Sequence, residues 1–172
     1  AHSAGLRSFY TAPIKALSNQ KFVELSSFYG ESQVGLLTGD NSINPNASIV
    51  VMTTEVLRNM IYARSQALDS LGVVVLDEVH FLQDAYRGPV WEEVIIHLEP
   101  TVQLVCLSAT VSNASELCDW LTTVRGPTIP IVETKRPIEL TNHYLVGDKA
   151  SKLIDIAIDE LPEKVKESGL VA

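Results

Sequence analysis

Two adjacent carboxylates, Asp77-Glu78, follow the most apolar run of the chain, Val73-Val-Val-Leu76. That run reads as a buried strand, and ionised carboxylates at its end are costly without a compensating partner. A hydrated Mg2+ held by one carboxylate and by nucleotide phosphates would supply the missing charge. The second carboxylate could then orient or deprotonate an attacking water. An exposed acidic turn that starts a helix fits the same residues equally well. His80 is by itself as compatible with a local hydrogen bond as with a switch.

Three other segments place polar groups after apolar runs. Ser108-Ala109-Thr110 follows Val102–Leu107, where small hydroxyls also serve as turn formers or caps. Pro13-Ile14-Lys15 follows Arg7–Ala12, and Thr53-Thr54-Glu55 follows Ser48–Met52. Lys15, the threonine pair and Arg58 could hold the phosphates of a nucleic-acid backbone. Each of them singly is also an ordinary solvated residue. His97 lies amid apolar residues and reads as structural, while Trp91 and Trp120 fall on apolar helical faces and read as core.

The elements that must position these groups alternate between β-rich runs and amphipathic helical patterns, the signature of a parallel α/β sheet. Strands are expected at Arg7–Ala12, Val34–Leu37, Ser48–Met52, Gly72–Leu76, Val102–Leu107, Ile129–Val132 and Glu139–Val146. Gly72–Leu76 should be central and covered on both faces. The first helix carries Leu17, Phe22, Leu25 and Phe28 on one face and stops at Gly30. The second aligns Val56, Leu57, Met60 and Ile61. Pro89 opens a third, in which Trp91, Val94, Ile95 and Leu98 recur at helical spacing before Pro100. Asn113 and Glu116 make a capping-box-like start for a fourth, lined by Leu117, Trp120, Leu121 and Val124. A last helix is expected at Ser151–Leu161, and a domain boundary near residues 134–147. In an open parallel sheet, ligands bind outside the carboxyl ends of the strands, so the polar segments should gather along one edge.

Composition bounds the function. The 172 residues, 46% apolar and 20% charged, suit one domain or one with part of a second. No apolar run approaches a membrane span. Thirteen basic against twenty-one acidic residues give −8, which excludes a whole-surface basic footprint for nucleic acid but not a local basic groove. Cys106 and Cys118 lack metal-ligand spacing and read as small core residues in a reducing, cytoplasmic setting.

Six segments in order carry a resemblance: Tyr10-Thr-Ala-Pro-Ile-Lys-Ala-Leu-Ser-Asn-Gln-Lys21, Leu37-Thr-Gly-Asp40, Thr53-Thr-Glu-Val-Leu-Arg-Asn-Met60, Val75-Leu-Asp-Glu-Val-His80, Tyr86-Arg-Gly-Pro-Val-Trp-Glu-Glu93 and Leu107-Ser-Ala-Thr110. Over about residues 6–147 the chain resembles the first RecA-like domain of a DExH-box helicase of the Ski-like RNA helicase family, with the bacterial HelY-type members nearest. The resemblance implies a RecA-like P-loop NTPase fold, with a parallel sheet and flanking helices. It implies ATP and Mg2+ as cofactors, with Asp77 holding the metal through water and Glu78 activating the attacking water. His80, Ser108 and Thr110 would couple nucleotide state to strand movement. Pro13, Lys15, Gly39, Thr54, Glu55 and Arg58 would line a path for single-stranded RNA, with DNA as the alternative, largely indifferent to base sequence.

The departure from the family pattern is the phosphate loop, Gly-x-x-x-x-Gly-Lys-Thr, since no Gly-Lys pair occurs in the chain. The resemblance therefore implies a partial RecA-like domain over residues 1–134, lacking its N-terminal strand and phosphate loop. Residues 135–172 would be a connector and the beginning of a second RecA-like domain. The missing strand is expected beside Val73–Leu76. As a fragment, the chain alone is expected to be inactive. Its partners would be the remainder of the helicase chain and RNA-degradation machinery, with no membrane. A degenerate docking module for RNA or protein is the non-enzymatic alternative.

Overall fold

The computed structural model describes residues 5–109 and 114–133 in full and, beyond these, the backbone strands His143–Gly147 and Leu153–Ala157. Two compact units divide the chain, Ala1–Pro130 and Ile131–Ala172.

The first unit is built on a six-stranded sheet: β1 (Arg7–Ala12), β2 (Val34–Leu37), β3 (Ser42–Ile43), β4 (Ile49–Thr53), β5 (Leu71–Leu76) and β6 (Gln103–Cys106). The spatial order is β3-β2-β4-β1-β5-β6. Only the short edge strand β3 runs antiparallel, to β2. Four helices, α1 (Lys15–Tyr29), α2 (Thr54–Tyr62), α3 (Gly88–His97) and α4 (Ala114–Arg125), account for the helical patterns ahead of residue 126.

Pleating divides the core between the faces. Phe9, Val50, Met52, Val74 and Leu76 join Leu57 of α2 and Trp91, Val94 and Ile95 of α3 in one cluster, all fully buried. Leu117, Trp120 and Val124 pack against it, and Leu121 is buried within it. Val34, Leu36 and Val51 face the other way, against Phe22 and Leu25 of α1. Gly30, at a positive φ of 91°, ends α1 as its sequence predicts.

Several expectations need correction. Phe28 does not join the buried face of α1: it is 80% exposed, where the helix overruns the sheet it covers. β5 is interior but only one place from the edge, and it is paired on both sides, by β1 and β6. No position beside it is open, so the free parallel edge belongs to β6. Nor is β5 fully covered on both faces. Val74 and Leu76 are buried, whereas Val73 and Val75 are only half-buried, because α1 packs over β1, β2 and β4. Residues 129–132 form no strand. Ile129 and Ile131 are 83% and 93% exposed, and β-propensity alone does not make a strand where no pairing forms.

In the second unit β7 (His143–Gly147) overlaps the expected strand 139–146 and runs one residue past it, but Leu153–Ala157, inside the expected last helix, is β8, antiparallel to β7. Leu-Ile-Asp-Ile-Ala satisfies a period of two as well as one of 3.6, and pairing decides between them. Residues 139–142, Lys135-Arg136-Pro137, Asn113 and Thr110 lie outside the described residues. Both cysteines are free thiols and half-buried. Burial, and then the neighbouring Cys118, push the Cys106 thiol up to about 11, so it is neutral and inert near pH 7.

Candidate functional site

Parallel register aligns the strand ends. Thr11 lies opposite Met52 on one side and Leu76 on the other, and Leu76 lies opposite Cys106. The residues that follow, from Pro13, Thr54, Asp77 and Ser108 onward, are thereby brought to one edge. Leu37 is level with Met52, so the Thr38–Asp40 loop joins them. The edge predicted from pattern exists.

Asp77 is held on every side. Its backbone N–H donates to Thr11 O at 3.0 Å, and its carbonyl accepts from Trp91 Nε1 at 3.4 Å. Oδ1 accepts from the backbone N–H of Glu78 at 2.9 Å, and Oδ2 from the Tyr10 hydroxyl at 2.6 Å. Each carboxylate oxygen thus keeps a lone pair for water or metal. Burial first, and then the bond to Asp77, push the Tyr10 phenol well above its ordinary value, so it remains a donor at physiological pH.

Glu78 sits in the left-handed region, at φ 54° and ψ 46°. For a residue with a Cβ this costs roughly 1–2 kcal/mol. The backbone turns there from β5 into a 3-10 segment, Val79–Gln83, leaving the Glu78 side chain about one-third exposed. His80 Nδ1 lies 3.1 Å from Glu78 Oε2, yet the two are not aligned for a hydrogen bond, and Nδ1 is buried without a partner. Val79 N–H donates to Leu107 O at 2.8 Å, which sets the 3-10 segment beside the end of β6 and the exposed Ser108.

The nucleic-acid candidates occupy the same edge. Lys15 opens α1 and is paired with Asp40. That bond, together with the Thr38 hydroxyl, holds the Asp40 carboxyl below the ordinary range. Gly39, between them, has open space around it. Thr54 is fully buried, and its hydroxyl donates to Ala12 O at 3.4 Å. Arg58 lies 3.8 Å from Glu93 and bonds Asn59 Oδ1 at 3.2 Å.

The residue that sequence reasoning passed over is Arg87. Its guanidinium donates to Pro13 O and, at 2.8 Å, to Glu55 Oε1. It also lies 5.1 Å and 5.4 Å from the centroids of Phe81 and Trp91, rings that stack on each other at 5.4 Å. One side chain therefore ties the ends of β1 and α2 to the segment carrying the acid pair. Its signal in the sequence is the Tyr86–Glu93 segment, which carries part of the family resemblance without assigning Arg87 a role. Gly88 is required there, since a Cβ would meet Leu82 O at 2.5 Å.

Together, a carboxylate pair at the end of an interior strand and a row of polar loops gather on one edge of a parallel sheet. The chain belongs to the DEAD/DEAH box helicase family, whose pattern matches residues 1–117. It is 58% identical over 160 residues to the probable helicase HelY of Mycobacterium tuberculosis, covering 93% of this chain and 18% of that protein. With superkiller complex protein 2 of Homo sapiens it shares 48% identity over 147 residues, 85% of this chain and 12% of that one. The DExH-box ATP-dependent RNA helicase DExH15 of Arabidopsis thaliana is 48% identical over 88% of this chain and 13% of its own length. The chain thus spans less than a fifth of these relatives. Among solved structures, helicase Lhr of Mycobacterium smegmatis, bound to single-stranded DNA and AMP-PNP, superposes with a TM-score of 0.55 at 24% identity, over 68% of this chain and 18% of Lhr. A DEAD box protein of Methanococcus jannaschii gives 0.57 at 19%, over 70% and 35%. These two likenesses bear on the fold, which is RecA-like.

Proposed function

We propose that the chain is part of the first motor domain, over residues 1–134, of an ATP-dependent helicase that moves 3′ to 5′ on RNA, with residues 135–172 leading into a second such domain. The observation that carries this reading is the convergence on one edge of the acid pair and the backbone-binding loops, clamped by Arg87. Asp77 suits Mg2+ held through water, because both its oxygens are oriented by donors and neither is saturated. No group of three or more His, Cys, Asp or Glu among the described residues could hold a metal, so nucleotide phosphates and water would complete the shell. The ion would neutralise phosphate charge.

Glu78 orients the attacking water and takes its proton. Its carboxylate is about one-third exposed, so water can reach it. His80 and Ser108, with Thr110, relay the nucleotide state along the end of β6. Pro13, Lys15, Gly39, Glu55 and Arg58 line the path of the sugar-phosphate backbone of a single strand, and Thr54 supports it from beneath. Lys15 must exchange Asp40 for a phosphate to hold that backbone, and Thr54 contributes from a buried position that fixes the start of α2. No helix among the described residues is long and apolar enough to cross a membrane. A cytoplasmic setting and association with RNA-degradation machinery belong to this same reading.

RNA rather than DNA is favoured by the names of relatives such as the Arabidopsis RNA helicase. The test is RNA-stimulated ATP hydrolysis by this chain and by a form extended to the length of its relatives, each with and without Glu78→Gln. Hydrolysis by the extended form alone, reduced ~10²–10⁴-fold by the substitution, is the expected result. Strands of matched sequence in RNA and DNA then report whether the 2′-hydroxyl is read. Silence from the extended form would favour a docking module instead.

A further inference from the structure

We propose that Tyr86 is a stacking platform for a base of the bound single strand, a contact that extends the proposed path beyond its phosphate-binding residues. The inference rests on the helicase reading above. Tyr86 is 93% exposed, yet its backbone is tightly held. Asp84 Oδ1 accepts from the N–H groups of both Tyr86 and Arg87, at 2.9 and 2.8 Å. Gly88 N–H donates to Asp84 O at 2.8 Å. The next residue is Arg87, bonded to Pro13 O and to Glu55, two positions proposed for the strand path. An aromatic ring is thus presented to solvent from an ordered turn, next in sequence to the arginine that bonds those two positions, where holding it costs little conformational entropy.

Electrostatics at this edge favours an uncharged contact. Lys15 is paired with Asp40, Arg58 lies beside Glu93, and Arg87 is paired with Glu55. The chain carries a net −8. A polyanion therefore gains little from charge alone, whereas every base offers a π-face for stacking. The other exposed large aromatics among the described residues, Phe28, Tyr29 and Tyr62, lie at the far ends of α1 and α2, away from that edge.

The test measures binding of labelled single-stranded RNA by the chain extended to the length of its relatives, across a salt series. Tyr86→Ala should weaken binding about tenfold (~1.4 kcal/mol), with the salt slope and the thermal midpoint unchanged. Tyr86→Phe should restore the affinity, and an RNA of abasic sugars should bind Tyr86→Ala and the unsubstituted protein equally. Lys15→Ala should instead lower the salt slope by about 0.7. If Lys15→Ala weakens binding and Tyr86→Ala does not, or if Tyr86→Phe binds as poorly as the alanine form, the stacking proposal is wrong while the helicase reading stands. If the unsubstituted protein binds no strand at all, both fail.

Discussion

Arg7 and Arg87 sit at opposite edges of the same sheet and use their guanidinium groups differently. Arg7 donates to Ala47 O and Ala67 O, each at 3.1 Å, and to Pro45 O at 2.6 Å, while lying 5.0 Å from the Phe9 centroid. Arg125 does the same nearby, donating to Leu98 O, Glu99 O and Val102 O ahead of β6. Their partners are backbone carbonyls, which carry no charge and take no part in chemistry, so these arginines close the loops entering the strands. Arg87, where the strands leave, bonds one carbonyl and one carboxylate and lies against two rings. Glu55 can exchange partners, and the carbonyl belongs to a loop proposed to meet the strand. The same residue type staples one edge and positions the other.

The largest separation between the two edges should come from Arg7→Met and Arg125→Met. Each leaves carbonyls without a charged donor and should cost about 2 kcal/mol of stability, measured by urea unfolding. In the form extended to the length of its relatives, the nucleic-acid concentration for half-maximal ATPase stimulation should not move in either. A shift there would show that the closed edge also reports to the site.

Arg87→Lys should reverse that pattern. Lysine keeps the charge but loses the planar fork and the ring contacts. Stimulation should need roughly fivefold more nucleic acid, about 1 kcal/mol, with little change in the unfolding midpoint. An unfolding midpoint that falls as far as for Arg7→Met would make Arg87 another staple.

The smallest expected effect concerns the turn that carries Arg87. The backbone N–H groups of Arg87 and Tyr86 hold the Asp84 carboxyl below its ordinary range. A lowered carboxyl pKa stabilises the turn above the unfolded value and loses that contribution as pH falls through the folded one. The amide shifts of Tyr86 and Arg87 should therefore stay constant near neutrality and move only below about pH 4. Asp84→Asn should remove the transition, and a transition near neutrality would point to a different titrating group.

Much of the fold was legible because local and global signals agree. The face of Trp91, Val94 and Ile95 is buried as its spacing requires, and Val73–Leu76 is an interior strand followed by the acid pair. Local signals failed where pairing decides. Residues 129–132 have strand composition and no strand, and Leu153–Ala157 fits two periods but pairs as one. The role of Arg87, though it sits in a quoted motif, was invisible for a related reason, since its partner Pro13 lies 74 residues away in sequence.

By itself the sequence determined which polar and ionisable residues the molecule carries and on which side of its sheet they fall. Side-chain types, periodicity and chain direction are local properties, and parallel strands send their ends to one edge. Only the tertiary structure decided which groups meet there. It set Tyr10 on Asp77, Asp40 on Lys15 and Arg87 between Pro13 and Glu55, because register and helix docking bring distant residues within a hydrogen bond, and no spacing along the chain encodes that distance.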